Sequence, residues 1–227
     1  MPNKSMLKIG SICSVTSGIV FLLSGLSFFI FQVGRFDWNS MKSINDYFSS
    51  FPFAAASWTT INIGAAIASF LAVAGVLSLA DILKPNNEGI VRWTSTLAIV
   101  GYAVIAVTNI ADLYKIKHIM AGYTNADTSV RNALEVTGIG SLDPTFIIRF
   151  LAIGPWFLSS GVLSFKNDQI PKSLSVFGIM AGAVALIFVV ISIIELPIIS
   201  MITGSTAVIA HPIWLLWTGI VIGKVKY

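Results

Sequence analysis

This chain is poor in the residues that most protein chemistry needs. It has one cysteine, Cys13, in 227 residues. A single thiol excludes an internal disulfide and any metal site built on paired cysteines. There are two histidines, His118 and His211, so two deep imidazoles are not available to hold a haem. No HExxH, no phosphate-binding glycine loop, no Ser-His-Asp arrangement and no sustained heptad occurs. Charge is scarce as well: Asp, Glu, Lys and Arg make up 11% of the chain, against about 25% in a soluble domain. No metal and no cofactor is expected.

Apolar side chains are abundant. They supply 56% of residues, and the mean hydropathy is +0.86. A protein this apolar cannot cover itself with polar surface, so lipid must be the solvent for much of it. The net charge of +4 suggests a basic patch until the charges are placed. They cluster at the ends of apolar runs, as in a membrane protein, and nucleic acid is not an expected partner. The opening segment, with Lys4 and Lys8 before an apolar run, resembles a signal peptide. Its uncharged run from Ile9 to Gly34 exceeds the core of about 7–15 residues that a signal peptide carries. It is expected to be a retained first helix.

Crossing a bilayer takes about 20 helical residues. Six runs meet that length: Ile9–Val33, a segment from near Phe53 to Ala80, Val91–Tyr114, a helix opened by Asp143 and Pro144 and running to Phe165, Lys172–Leu196, and Ser205–Gly223. The expected fold is all-α, a polytopic bundle of six helices forming one transmembrane domain over residues 1–227. Lys4, Lys8, Lys84, Arg92, Lys166, Lys172, Lys224 and Lys226 would fall on one side of the membrane. Arg35, Lys42, Lys115, Lys117 and Arg131 would fall on the other, spread over longer loops. The denser set marks the cytoplasmic side of a cell (inner) membrane, with both termini there. The last external turn is expected around "ITGST" (Ile202–Thr206). Pro155 and Pro212 are expected to kink their helices.

A few polar groups lie inside these runs. At about 1.5 Å per residue, Glu195 is roughly 34 Å from Lys172, Asp112 roughly 30 Å and Asn109 about 26 Å from Arg92, Arg149 roughly 26 Å from Lys166, and Asn62 roughly 28 Å from Asp81. His211 is deeper, roughly 20 Å from Lys224. These groups share one layer near the outer face. Ions in hydrocarbon are costly, so they are expected to point inward and meet one another. Arg149 can hold two carboxylates in its forked guanidinium, which makes Asp112 and Glu195 its natural partners. Headgroup-level exposure of both carboxylates is the competing reading. A two-histidine, two-carboxylate metal site is disfavoured, because His118 falls roughly 39 Å from Arg92, outside the bilayer.

Two further patterns concern packing. "GVLSLADILKPNN" (Gly75–Asn87) and "GVLSFKNDQIPKS" (Gly161–Ser173) close the second and fourth spans, which is consistent with spans two–three and four–five being a parallel repeat. Gly178 and Gly182, and Gly219 and Gly223, form GxxxG pairs, while Gly10, Ser14 and Gly18 form a small-residue stripe on the first span. Packing within the bundle is their expected use, with a homo-oligomer as the alternative.

The second half also carries a resemblance. "FLAIGPWFLSSGVLSFKNDQIPKSLSVFGIMAGAVALI" and the later "HPIWLLWTGIVIGK" resemble the bacterial six-helix membrane proteins of domain of unknown function 4386, over about Asp143–Lys224. That resemblance implies six spans and no established activity. The expected role is non-enzymatic: binding of a lipid, a small amphiphile or a partner subunit of a membrane complex through an outward-facing polar pocket lined by Asn62, Asn109, Asp112, Arg149, Glu195 and His211. The alternatives are a small transporter, with a polar path continuing by Tyr102, Thr94 and Ser95, and a structural subunit. A metal-dependent lipid hydrolase ranks last.

Overall fold

The computed structural model describes residues 4–28, 44–124, 126–130, 144–194 and 196–225. They fold into α1 (Lys4–Phe28), α2 (Ile44–Leu83), α3 (Glu88–Thr124), α4 (Pro144–Ser164), α5 (Lys172–Ile193) and α6 (Pro197–Ile222). Among the described residues, six helical segments are long and apolar enough to cross a membrane: Lys4–Ser27, Thr59–Leu83, Glu88–Tyr114, Ile147–Ser164, Lys172–Ile193 and Ile202–Ile222. A helix satisfies its backbone polar groups within itself, as hydrocarbon requires.

Several boundaries move from their expected places. α2 begins well before Phe53, and α3 continues past Tyr114 to Thr124. Both helices project beyond the apolar stretch, because a helix that is already nucleated adds residues cheaply. The last turn is not at "ITGST". Those residues are helical, α5 ends at Ile193, and Pro197 starts α6 near its first position, where its missing N–H costs nothing. Gly204 is a packing residue there and breaks nothing: a Cβ on it would lie 2.8 Å from Cε2 of Phe188. Pro155 and Pro212 sit inside α4 and α6 as expected.

The helices form a ring. Each packs against its neighbours in sequence, and α6 returns to α1. α1 runs antiparallel to both helices beside it. Ser78 Oγ, near the end of α2, donates to Met6 O at 2.9 Å, and Ser17 Oγ donates to Ala68 O at 2.7 Å. On the other flank, Ser11 Oγ donates to Gly219 O and Ser14 Oγ to Leu215 O, each at 2.7 Å. The expected stripe of small residues on α1 is therefore divided. A Cβ on Gly10 would strike Ser78, one on Gly18 would strike Leu216, and Ser14 lies against Gly75 as well as bonding to α6.

The GxxxG glycines are also used within the bundle. Gly178 lies against Gly161 and Trp214, Gly182 against Leu158 and Gly154, Gly219 against Val15, and Gly223 against Ser11. The echo glycines differ in use, since Gly75 approaches α1 and Gly161 approaches α5.

The two ends of the ring differ in the large polar side chains they bury, small hydroxyls being buried along its whole length. On the side where α1 begins and α6 ends, here the terminal side, Leu7, Leu83, Val91, Ile170, Leu174, Ile222 and Val225 are buried in one apolar cluster. Asn86 Nδ2 clips the α2–α3 turn to Leu163 O at 2.9 Å, and Asn87 Oδ1 caps α3 by accepting from Ile90 N at 3.1 Å. The buried polar side chains Asn62 and Asn109 lie toward the opposite side, the loop side.

Candidate functional site

The polar interior is organised by α3. Thr94, Ala98, Tyr102, Ile105 and Asn109 are all buried, and their spacing of three or four residues puts them on one face. That face looks across the ring at α4 and α6. Three rungs of polar contact run along it, through Thr94, Tyr102 and, beside Asn109, Thr108.

The rung nearest the terminal side joins Ser159 Oγ of α4 to Thr94 Oγ1 at 2.9 Å, while Thr94 itself donates to Ile90 O at 2.8 Å. The middle rung joins Tyr102 Oη to His211 Nε2 at 2.8 Å. Rings surround this imidazole. Phe21 lies 4.7 Å from it between centroids, Tyr102 5.5 Å and Phe157 5.6 Å, and Phe157 in turn stacks on Trp214 at 4.6 Å. Tyr102 and Trp156 are wholly buried beside it. Pro212 follows His211 directly inside α6.

The third rung lies toward the loop side. Arg149 Nη2 of α4 donates to Thr108 Oγ1 of α3, and Thr108 donates to Val104 O at 2.8 Å. Asn109, next in sequence and buried, turns its Nδ2 back onto Ile105 O at 2.7 Å. Asp112 is half-buried one turn beyond Thr108, on the side of α3 that meets Arg149. The close approach of α3 and α4 depends on Gly101, where a Cβ would lie 2.8 Å from Ile153 Cγ1 and 3.4 Å from Arg149 O. A larger residue there would push the arginine's helix away from Thr108.

Of the residues singled out in the sequence, Asn62 and Asn109 are buried near the loop side, and Arg149 and Asp112 are half-buried in the same layer. His211 is buried deeper and bonds to Tyr102. Glu195 lies outside the described residues, as does His118 in its side chain. Sequence reasoning missed Thr108 and Ser159. A hydroxyl in an apolar run commonly bonds to its own helix backbone, so neither stands out. The one available signal for Thr108 is its place one turn before Asp112.

Among the described residues no group of three or more His, Cys, Asp or Glu side chains is placed to hold a metal ion. Outside the spans, Ser129 Oγ at 2.6 Å and Val130 N–H at 2.9 Å donate to the Asp127 carboxylate. Both bonds hold its pKa below the usual value, the Ser129 bond most strongly.

Neither the curated proteins nor the solved structures give a match to this chain. The family model described as Domain of unknown function (DUF4386) matches residues 16–219, a stretch that takes in the ring from within α1 to the last turn of α6 and all three rungs, and the chain belongs to that family.

Proposed function

We propose that this multi-pass membrane protein binds an anionic amphiphile or small anion at the loop-side end of its ring, with Arg149 fixing the anionic group. Asn62, Asn109 and Asp112 shape the surrounding polar layer, and His211 with Tyr102 forms its floor. With the terminal side in the cytoplasm, as the denser Lys and Arg at that side favours, the site faces outward. The observation that carries the reading is a spanning-segment arginine, bonded to Thr108, in the same end of the ring as the buried amides Asn62 and Asn109. A guanidinium is cationic at any pH the protein meets. One held within a spanning helix, with its Nη2 on Thr108, marks a place for anion recognition.

The test is a melt of the purified protein in zwitterionic detergent, with dodecyl phosphate added and dodecylphosphocholine as the matched control. A ligand at 100 times its Kd stabilises by about 2.7 kcal/mol, or roughly 5–10 °C for a chain of this size. The parent should show that rise with dodecyl phosphate alone. Arg149→Gln should lose it, Arg149→Lys should keep part, and the exposed remote pair Lys8→Gln/Lys166→Gln should keep all. Equal shifts with both detergents, or an undiminished shift in Arg149→Gln, defeats the reading.

The three rungs also favour a second reading, transport along α3. A cysteine at Thr94, in a Cys13→Ser background, separates the two. A binding protein closed at the terminal side leaves it unreactive toward a membrane-impermeant thiol reagent added at the loop side, and a transporter exposes it in turnover.

A further inference from the structure

A second site lies at the other end of the molecule and is independent of the reading above. Between α2 and α3, near their connecting turn, lies a groove of about 520 Å³ lined also by Met6 of α1. That volume is within the range that accommodates a small ligand. The inner wall is apolar, formed by Leu77, Ala80 and Ile99. The outer rim carries Asp81, Lys84 and Arg92.

The rim lies at headgroup level. Spanning segments end at Leu83 and begin at Glu88, and Trp93, 62% exposed beside Arg92, is where an interfacial aromatic anchor belongs. Lys84 bonds to Asp81 at 2.9 Å and Arg92 to Glu88 at 2.7 Å. Both pairs are local, three or four residues apart, and partly or well exposed, a class of ion pair that holds weakly and exchanges readily. Ser95 and Thr96 in the groove both donate to Arg92 O, at 3.1 and 2.8 Å, so their oxygens remain as acceptors toward the groove. The rim therefore offers two cations, one carboxylate and two acceptor hydroxyls above an apolar wall.

We propose that this groove binds a phospholipid of the adjacent leaflet whose headgroup carries both a phosphate and a primary ammonium, with Lys84 and Arg92 on the phosphate, Asp81 on the ammonium and an acyl chain against Leu77 and Ile99. A purely anionic lipid leaves Asp81 facing its phosphate, and a choline headgroup has no N–H to donate to it. The ethanolamine headgroup complements the three charges that line the groove, with Glu88 remaining beside Arg92 at its edge.

The experiment is reconstitution into vesicles of equal phosphatidylethanolamine, phosphatidylcholine and phosphatidylglycerol, gentle extraction, and native mass spectrometry of retained lipid. The parent should retain the ethanolamine lipid several-fold over either competitor. Lys84→Gln/Arg92→Gln should lose about tenfold of all phospholipid retention, and the charge-keeping Lys84→Arg/Arg92→Lys should retain it. Asp81→Asn should keep lipid and lose the preference for ethanolamine over glycerol. These side chains are solvent-exposed, so each variant should melt like the parent. Retention unchanged in the double Gln variant, or no ethanolamine preference in the parent, overturns the proposal. So does displacement of the lipid by millimolar O-phosphoethanolamine, which would mark a site for a water-soluble phosphate.

Discussion

A methyl group at Gly182 would lie 2.5 Å from Leu158 N and 2.9 Å from Gly154 O. These are backbone atoms, so nothing can rotate aside, and α4 and α5 must separate. Gly182→Ala should therefore destabilise the protein by about 1–3 kcal/mol, the usual cost of overpacking. Gly25 is the internal control: a Cβ there meets nothing within 4 Å. Gly25→Ala should be neutral or stabilising by up to about 1 kcal/mol, through helix propensity alone. Melts of the two variants check both, and equal effects would show that the α4–α5 contact is not this tight. The Tyr102–His211 bond is a different residue-scale case. Interhelical hydrogen bonds in membrane proteins average only about 0.6 kcal/mol, because the alternative state also finds partners. Here the imidazole is enclosed by the rings of Phe21, Tyr102 and Phe157, and Tyr102→Phe puts no replacement donor or acceptor against Nε2. A buried group left unsatisfied costs about 1–3 kcal/mol. A double-mutant cycle of Tyr102→Phe with His211→Leu should give a coupling near 1 kcal/mol, toward the upper part of the membrane range. A coupling of zero would mean that the two rings only pack.

At the scale of the helix, the length of the apolar runs and the charges at their ends were sufficient to place six spans. Depth counting also brought Asn62, Asn109 and Arg149 into one layer, because antiparallel neighbours of similar length must align their polar positions. Two features were not legible. Gly204 has the form of a turn residue, and only the ring of Phe188 reveals it as a contact that lets α5 and α6 approach. Thr108 and Ser159 look like ordinary helix hydroxyls until α4 is seen to present Arg149 and Ser159 to α3. Both misses concern which neighbour a helix face meets, and periodicity carries no information on that. α1 illustrates the same limit. Its small residues were evident, yet their division between α2 and α6 follows from ring closure. Since Ser11 and Ser14 both bond to α6, Ser11→Ala/Ser14→Ala should loosen that seam by about 1 kcal/mol in total, near twice the membrane average for one bond. The melting midpoint checks this, and a loss several times larger would mean that the hydroxyls also order the α1–α2 side.

For the whole molecule, orientation decides what each end can meet. The ring itself is indifferent to which way it is inserted: its interior contacts are identical in either direction. Only the Lys and Arg outside the bundle distinguish the two, and they favour the terminal side as cytoplasmic. The inserted direction then sets the chemistry. With the terminal side in the cytoplasm, Arg149 and the polar layer would face outward and the Lys84–Arg92 groove would lie in the inner leaflet. Single cysteines in a Cys13→Ser background test this in intact cells. Asn87→Cys and Gln169→Cys, both in exposed turns of the terminal side, should resist an impermeant maleimide until the cells are opened, and Ser129→Cys, exposed beyond α3, should react at once. The reverse pattern would turn the polar layer toward the cytoplasm and the groove toward the outer leaflet, so that the anion recognised by Arg149 would have to come from inside the cell. Mixed labelling of all three positions would instead indicate dual insertion. The difference between thirteen basic residues split as eight against five would then be too small to orient the bundle.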